Sequence, residues 1–201
     1  PAEIIVVPLF PQYASSSTGS AIQEVMEVIK NWWVIPELRI VSQYFTRPDY
    51  IEAQAEVAAA YNHEDYDHVL FSYHGLPTRQ VDKVYNDGLC DDRDCTHTYD
   101  RENQFCYKAA CYETTRLITE RLGIPVGKYS VGFQSRLDDK WVTPFSDKLV
   151  EQYARDGMKK LLVLNMVIVK ILESFEAFFT KSSQQISLFF RRKVCKLHFF
   201  V

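Results

Sequence analysis

Short apolar runs of strand length alternate along the chain with stretches of helical spacing. Residues 3–9, with Ile4-Ile5-Val6-Val7 at their centre, read as a first strand, and residues 11–20 as a polar, Ser-rich loop. Ile22, Val25, Met26 and Ile29 then recur on one face of a helix predicted over 21–33. A second strand is predicted over 38–44, an Ala- and Glu-rich helix over 50–62, and a third strand over 69–73. Residues 78–104 are polar and have no clear period. A loop of that length in a compact domain is usually functional or mobile. Helical spacing returns over 107–122, with Gly123 as its cap and Pro125 just beyond. A short strand follows at 129–133. Thr143-Pro144 reads as the cap and first position of a helix that ends near Gly157, and a last strand begins at 160–164. This β-α-β-α order predicts a mostly parallel sheet with helices on both faces.

The third strand carries the sharpest local signal. Val69-Leu70-Phe71-Ser72-Tyr73 stops at His74, and Gly75 and Pro77 turn the chain away. One imidazole is thereby set at the carboxyl end of a buried strand, the edge at which open α/β sheets hold ligands. Two uses fit that position: a histidine that caps the strand end by hydrogen bonding, or a base that exchanges protons near neutral pH. His63, His68, His97 and His198 have no ligand-like spacing and read as surface or loop residues.

Composition narrows the function classes. The chain has 201 residues, 47% hydrophobic, with a formal net charge of −3. Such a balance argues against a general nucleic-acid binder, which is ordinarily basic. Aromatic residues reach 14%, suited to core packing or to a pocket for a flat apolar ligand. No basic segment precedes the first strand, so no secretory signal is read. The apolar stretch 161–179 carries Asn165, Lys170, Glu173 and Glu176 and is too polar to span a membrane. A cytoplasmic location is the expectation. The tail at 181–201 mixes Phe-rich segments with Arg191-Arg192-Lys193, which fits either a locally packed tail or peripheral contact with a membrane, such as the inner membrane.

Cys90, Cys95, Cys106 and Cys111 follow C-x4-C-x10-C-x4-C within and just after the polar segment. Four thiolates this close would suit zinc or an iron–sulfur cluster, and free thiols are the third reading. Structural zinc sites more often use C-x2-C pairs, so the wider spacing favours iron–sulfur. Asp91, Asp92 and Asp94 add negative charge there or form a solvated loop.

Five segments, in order, carry a family resemblance. Pro8-Leu9-Phe10-Pro11-Gln12-Tyr13-Ala14-Ser15-Ser16-Ser17-Thr18-Gly19-Ser20 resembles the loop after a strand in ferrochelatases, and Phe71-Ser72-Tyr73-His74-Gly75-Leu76-Pro77 resembles their catalytic-histidine motif. Cys111-Tyr112-Glu113-Thr114-Thr115-Arg116, Phe133-Gln134-Ser135-Arg136 and Trp141-Val142-Thr143-Pro144 match later segments of that family. The resemblance implies a chelatase-like, doubly wound (Rossmann-like) fold and insertion of ferrous iron into protoporphyrin IX to form protohaem, the terminal step of haem biosynthesis. His74 becomes the proton acceptor and a transient iron contact. Counting on from the last strand, Glu173 becomes its facing carboxylate, with Glu176 as the fallback, although Lys170 stands where the family tends to have Asp. Tyr13, Gln134, Ser135 and Trp141 become substrate-binding residues, with Phe10 and Phe133 as either core or macrocycle contacts. Some ferrochelatases carry a [2Fe–2S] cluster, held in one bacterial group by four internal cysteines, which implies that role for Cys90, Cys95, Cys106 and Cys111. Ferrochelatases also have a longer N-terminal lobe. The expectation is therefore a partial chain, with a ferrochelatase-like domain over 1–180, a cysteine-rich insert at 78–111 and an atypical tail at 181–201. Two other readings stay open: a sirohydrochlorin-type chelatase, and a non-catalytic iron–sulfur or tetrapyrrole-binding module.

Overall fold

The computed structural model describes residues 2–85 and 94–166 and the backbone of 196–200. The chain divides into two compact units, Pro1–Tyr50 with Arg79–Thr114 and Ile51–Thr78 with Thr115–Val201. Among the described residues every strand pair is parallel, as the element order predicts, and the strands build two sheets rather than one. The periodicity of a chain dictates strands and crossovers; it does not dictate which strands become neighbours.

In the first unit, β1 (Glu3–Val6) pairs with β2 (Glu37–Ile40), Ile4 opposite Leu38. Neither strand has a buried residue, and Ile5, Val7 and Leu9 are all exposed. The predicted polar loop before Ser20 is in fact wound into a π-helical turn, Ser15–Gly19, that runs directly into α1, Ser20–Ile29. The Gly19 amide reaches back to the Ala14 carbonyl at 3.0 Å, a wide turn with no apolar period to announce it. The helix also stops short of residue 33: the Trp32 amide turns back to Ile29, and the Trp33 side chain stands fully in solvent.

In the second unit the order is β4-β3-β5-β6, where β3 is His68–His74, β4 is Tyr129–Gln134, β5 is Lys160–Asn165 and β6 is Lys196–Phe200. From His68 to Tyr73 every residue of β3 is buried, as a strand with parallel neighbours on both sides demands. The remaining helices are α2 (Pro48–Ala59), α3 (Thr78–Asp82), α4 (Tyr107–Leu122, at its predicted bounds) and α5 (Ser146–Arg155). Gly123 follows α4 at φ 68° and Gly157 follows α5 at φ 85°, left-handed positions that favour glycine after a helix.

Packing of α5 shapes this unit. Val150 and Tyr153 of α5 meet Leu70, Leu161 and Val163 from the sheet in one buried cluster. Each such leucine contributes about 1.5–3 kcal/mol. The Ser72 and Ser146 hydroxyls hydrogen bond at 2.9 Å within it. Thr143-Pro144 does not start the helix as predicted. Its peptide bond is cis, the Pro144 carbonyl accepts the Phe133 amide at 2.8 Å, and α5 begins only at Ser146. Among the described residues no helix is long and apolar enough to cross a membrane. The tail proposed at 181–201 lies outside the described residues, apart from the backbone of β6.

His68 corrects a further expectation. It is not a surface residue but opens β3 with 7% exposure. Its Nε2 lies 3.1 Å from the Ser130 hydroxyl, which is 2.6 Å from the Tyr153 hydroxyl, and its ring tilts against Tyr153 at 4.7 Å. Burial lowers its pKa below the ordinary 6.5. The unfolded chain therefore takes up this proton more readily than the folded one, and stability must fall as pH drops through and below 6.5. Thermal unfolding between pH 8 and pH 5 should show a lower Tm on the acid side, and His68→Gln should flatten the slope. An equal slope in both proteins would exclude His68 as its source.

Candidate active site

Three parallel strands of the second unit end side by side, and each ends on a polar residue: β3 on His74, β4 on Gln134, β5 on Asn165. His74 is in register with Gln134, and Asn165 with Ser72, two residues back along β3. Gln134 Nε2 donates to Asn165 Oδ1 at 3.1 Å, which holds both amides at the carboxyl edge. The sequence marks only the beginning of this strand, at 160–164, and does not single out Asn165 as a site residue. Its only signal is one amide placed just after four buried apolar positions.

His74 presents an exposed imidazole at this edge. The protein packed around it strips part of its hydration, which disfavours the charged ring and lowers the pKa from the ordinary 6.5. The group is thus neutral at pH 7, in the form that accepts a proton.

The chain leaving His74 is tied down at once. The Gly75 amide donates to the Gln134 carbonyl at 2.7 Å. Val142 N–H donates to the Leu76 carbonyl and Thr78 N–H to the Lys140 carbonyl, both at 2.9 Å, with Pro77 opposite Trp141. Trp141 is half-buried and lies against Gly75, where a Cβ would stand 3.2 Å from the indole Cε3. Ser135, directly after β4, has φ 64°. A non-glycine residue in that region costs on the order of 1–3 kcal/mol and tends to occur at functional positions. The structure thus brings His74, Gln134, Ser135 and Trp141 to one edge, with Asn165 added. Phe133 is 1% exposed and belongs to the core.

Tyr13 belongs to the first unit. It is half-buried, edge-on to Phe105 at 6.0 Å. Next to it Gln12 is buried and donates to the Thr114 hydroxyl at 3.0 Å. Cys95, Cys106 and Cys111 are buried in the same unit. Burial pushes the Cys111 thiol well above its usual range. Asn103, 3% exposed, organises this segment: it donates to the Thr98 carbonyl, accepts the Asp100 amide and has Cys95 Sγ at 4.0 Å. Among the described residues, which include three of the four spaced cysteines, no three His, Cys, Asp or Glu side chains are placed together to hold a metal. Cys90, Glu173, Glu176 and Lys170 lie outside the described residues.

The model of the family described as Ferrochelatase matches residues 1–169 of the chain. The chain belongs to the ferrochelatase family. A Legionella pneumophila (strain Corby) protein named Ferrochelatase is 37% identical over 184 residues, covering 90% of this chain and 55% of that protein. A Ferrochelatase of Pseudomonas putida is 34% identical over 189 residues, 91% of this chain and 56% of its own length. One of Pseudomonas fluorescens is 37% identical over 165 residues, 80% and 48% respectively. The chain thus spans about half the length of the curated relatives it matches. The ferrochelatase match includes the whole carboxyl edge that carries His74, Gln134, Trp141 and Asn165.

Proposed function

We propose that this chain serves insertion of ferrous iron into protoporphyrin IX, with His74 as proton acceptor. The observation that carries the reading is the carboxyl edge itself: an exposed, neutral imidazole beside an indole and two tethered amides, in a ferrochelatase-family chain. Metallation replaces two pyrrole N–H protons by one Fe2+. Each proton leaves its nitrogen as an N–Fe bond forms, and a neutral imidazole at the ring face takes it and returns it to water. The exposure of His74 favours that return. Trp141 supplies an apolar contact for the macrocycle, and Gln134 and Ser135 polar contacts at its margin. Tyr13 is proposed as a further substrate contact, and Glu173 as the carboxylate partner of His74.

A second reading, a chain that binds tetrapyrrole without turnover, is tested beside the first. An assay with protoporphyrin and ferrous iron, run beside sirohydrochlorin and cobalt, separates the readings. Turnover of protoporphyrin supports the first, and binding without turnover the second. Turnover of sirohydrochlorin alone would move the chain to the other chelatase class.

For the cysteine segment, the spacing of Cys90, Cys95, Cys106 and Cys111 is what supports a [2Fe–2S] cluster, and no step above depends on it. Equal amounts of iron and acid-labile sulfide after anaerobic purification would establish the cluster; a colourless, metal-free protein would remove it. A cytoplasmic location with peripheral membrane contact through the basic, aromatic tail is proposed likewise, and cell fractionation tests it.

A further inference from the structure

Arg136 is the first residue after the strained Ser135, and its guanidinium is engaged on three sides. Nη1 donates to Asp139 at 2.6 Å, Nη2 donates to Asp147 at 3.0 Å, and Cζ stacks 4.0 Å over the Phe145 ring. The side chain is 23% exposed. Arg136 is the second residue of the loop between β4 and α5, Phe145 closes it, and Asp147 lies in the first turn of α5. The guanidinium therefore clasps the two ends of one loop together. The middle of that loop carries Trp141, held on the far side by the rung with residues 76–78. A turn in which Asp138 accepts the Lys140 amide at 2.8 Å leads into this rung.

We infer that Arg136 is a positioning residue: by clasping the loop between β4 and α5 it fixes the pose of Trp141 against Gly75, beside His74. As a step in porphyrin binding, this rests on the function proposed above. An arginine near a site for a dicarboxylic porphyrin would ordinarily be read as a receptor for propionate. Here both terminal nitrogens already meet carboxylates and one face is covered by a ring, so that role is taken up within the chain. The pair with Asp139, whose side chain is 91% exposed, contributes little. Asp147, 45% exposed, and the Phe145 stack carry the clasp.

The test uses the full chain carrying Trp32→Phe and Trp33→Phe, so that Trp141 is the single emitter. Without porphyrin, Arg136→Met should red-shift the Trp141 emission and lower its anisotropy. Asp147→Asn should do so in part, Arg136→Lys less than Arg136→Met, and Asp139→Asn not at all. An Arg136→Met protein that unfolds leaves the comparison of Asp147→Asn with Asp139→Asn to decide. With porphyrin, Arg136→Met should weaken quenching of Trp141 by roughly tenfold in Kd, with KM following Kd and kcat held. The loss should be equal for protoporphyrin and its dimethyl ester. A lowered Tm with unchanged Trp141 emission would make Arg136 merely structural and overturn the inference. A binding loss confined to the free diacid, again with unchanged emission, would overturn it in favour of an anion receptor. If the parent protein binds no porphyrin, the function proposed above fails, while the emission series still decides whether Arg136 holds Trp141.

Discussion

His74→Ala should lower the rate of protoporphyrin metallation by at least about a hundredfold, with porphyrin binding retained. A positioned proton acceptor contributes roughly 10²–10⁴-fold, and at the described carboxyl edge His74 is the ionisable side chain that ends a strand, beside two neutral amides. Gln134 and Asn165 hold each other and do not take up a proton at neutral pH. The pH profile gives the same test a second readout. The imidazole works only when neutral, and its desolvated surroundings lower its pKa from 6.5. The wild-type rate should therefore rise with pH, inflect below 6.5, and be level at pH 7 and above. In His74→Ala that inflection should vanish. Steady-state iron insertion measured from pH 5 to 8 checks both outcomes. A variant that retains the wild-type rate, or the wild-type inflection, would remove His74 from the chemistry.

The parts of this edge that were legible in the sequence are those written locally. A run of apolar residues closed by His74 and a glycine announces a buried strand and its end, and β3 indeed buries every position up to Tyr73. Tyr107–Leu122 is likewise legible, because its spacing is helical and Gly123 caps it at φ 68°. What escaped was written across distance. The hydrogen bond between Gln134 and Asn165 joins residues 31 apart, and nothing near Asn165 marks it as more than a strand end. His68 resembles a loop histidine until Ser130 and Tyr153 are brought to it by β4 and α5. Thr143-Pro144 has the local chemistry of a helix start, but the Pro144 carbonyl is taken by the Phe133 amide, which draws the segment to β4 and delays the helix. The Ser-rich turn at 15–19 has no apolar face to show its winding, although Thr18 within it is wholly buried. The division of the parallel strands into two sheets is likewise not written locally, since periodicity gives strands and crossovers but not which strands become neighbours.

Gly75→Ala should damage fold and function together, and the reason is contact rather than backbone conformation. A Cβ at residue 75 would stand 2.8 Å from the Gln134 carbonyl oxygen and 3.2 Å from Trp141 Cε3. The oxygen belongs to the backbone of β4, so it cannot swing aside as a flexible side chain would. It is also the acceptor of the Gly75 amide at 2.7 Å, and any retreat stretches that bond. Gln134 is tied onward to Asn165, so the retreat passes along the carboxyl edge. Overpacking of this kind costs about 1–3 kcal/mol. Gly123→Ala provides the contrast. Its φ of 68° makes alanine strained, by about 1–2 kcal/mol, yet nothing lies within 4 Å of the added carbon. The two variants should therefore lose similar stability in urea titration. Only Gly75→Ala should also lose Trp141 quenching by porphyrin and most of the metallation rate, because only there does the displaced atom belong to the site. Should Gly75→Ala bind porphyrin as the wild type does, the contact between Gly75 and Trp141 would have no part in holding the macrocycle, and Trp141 would become a packing residue beside His74.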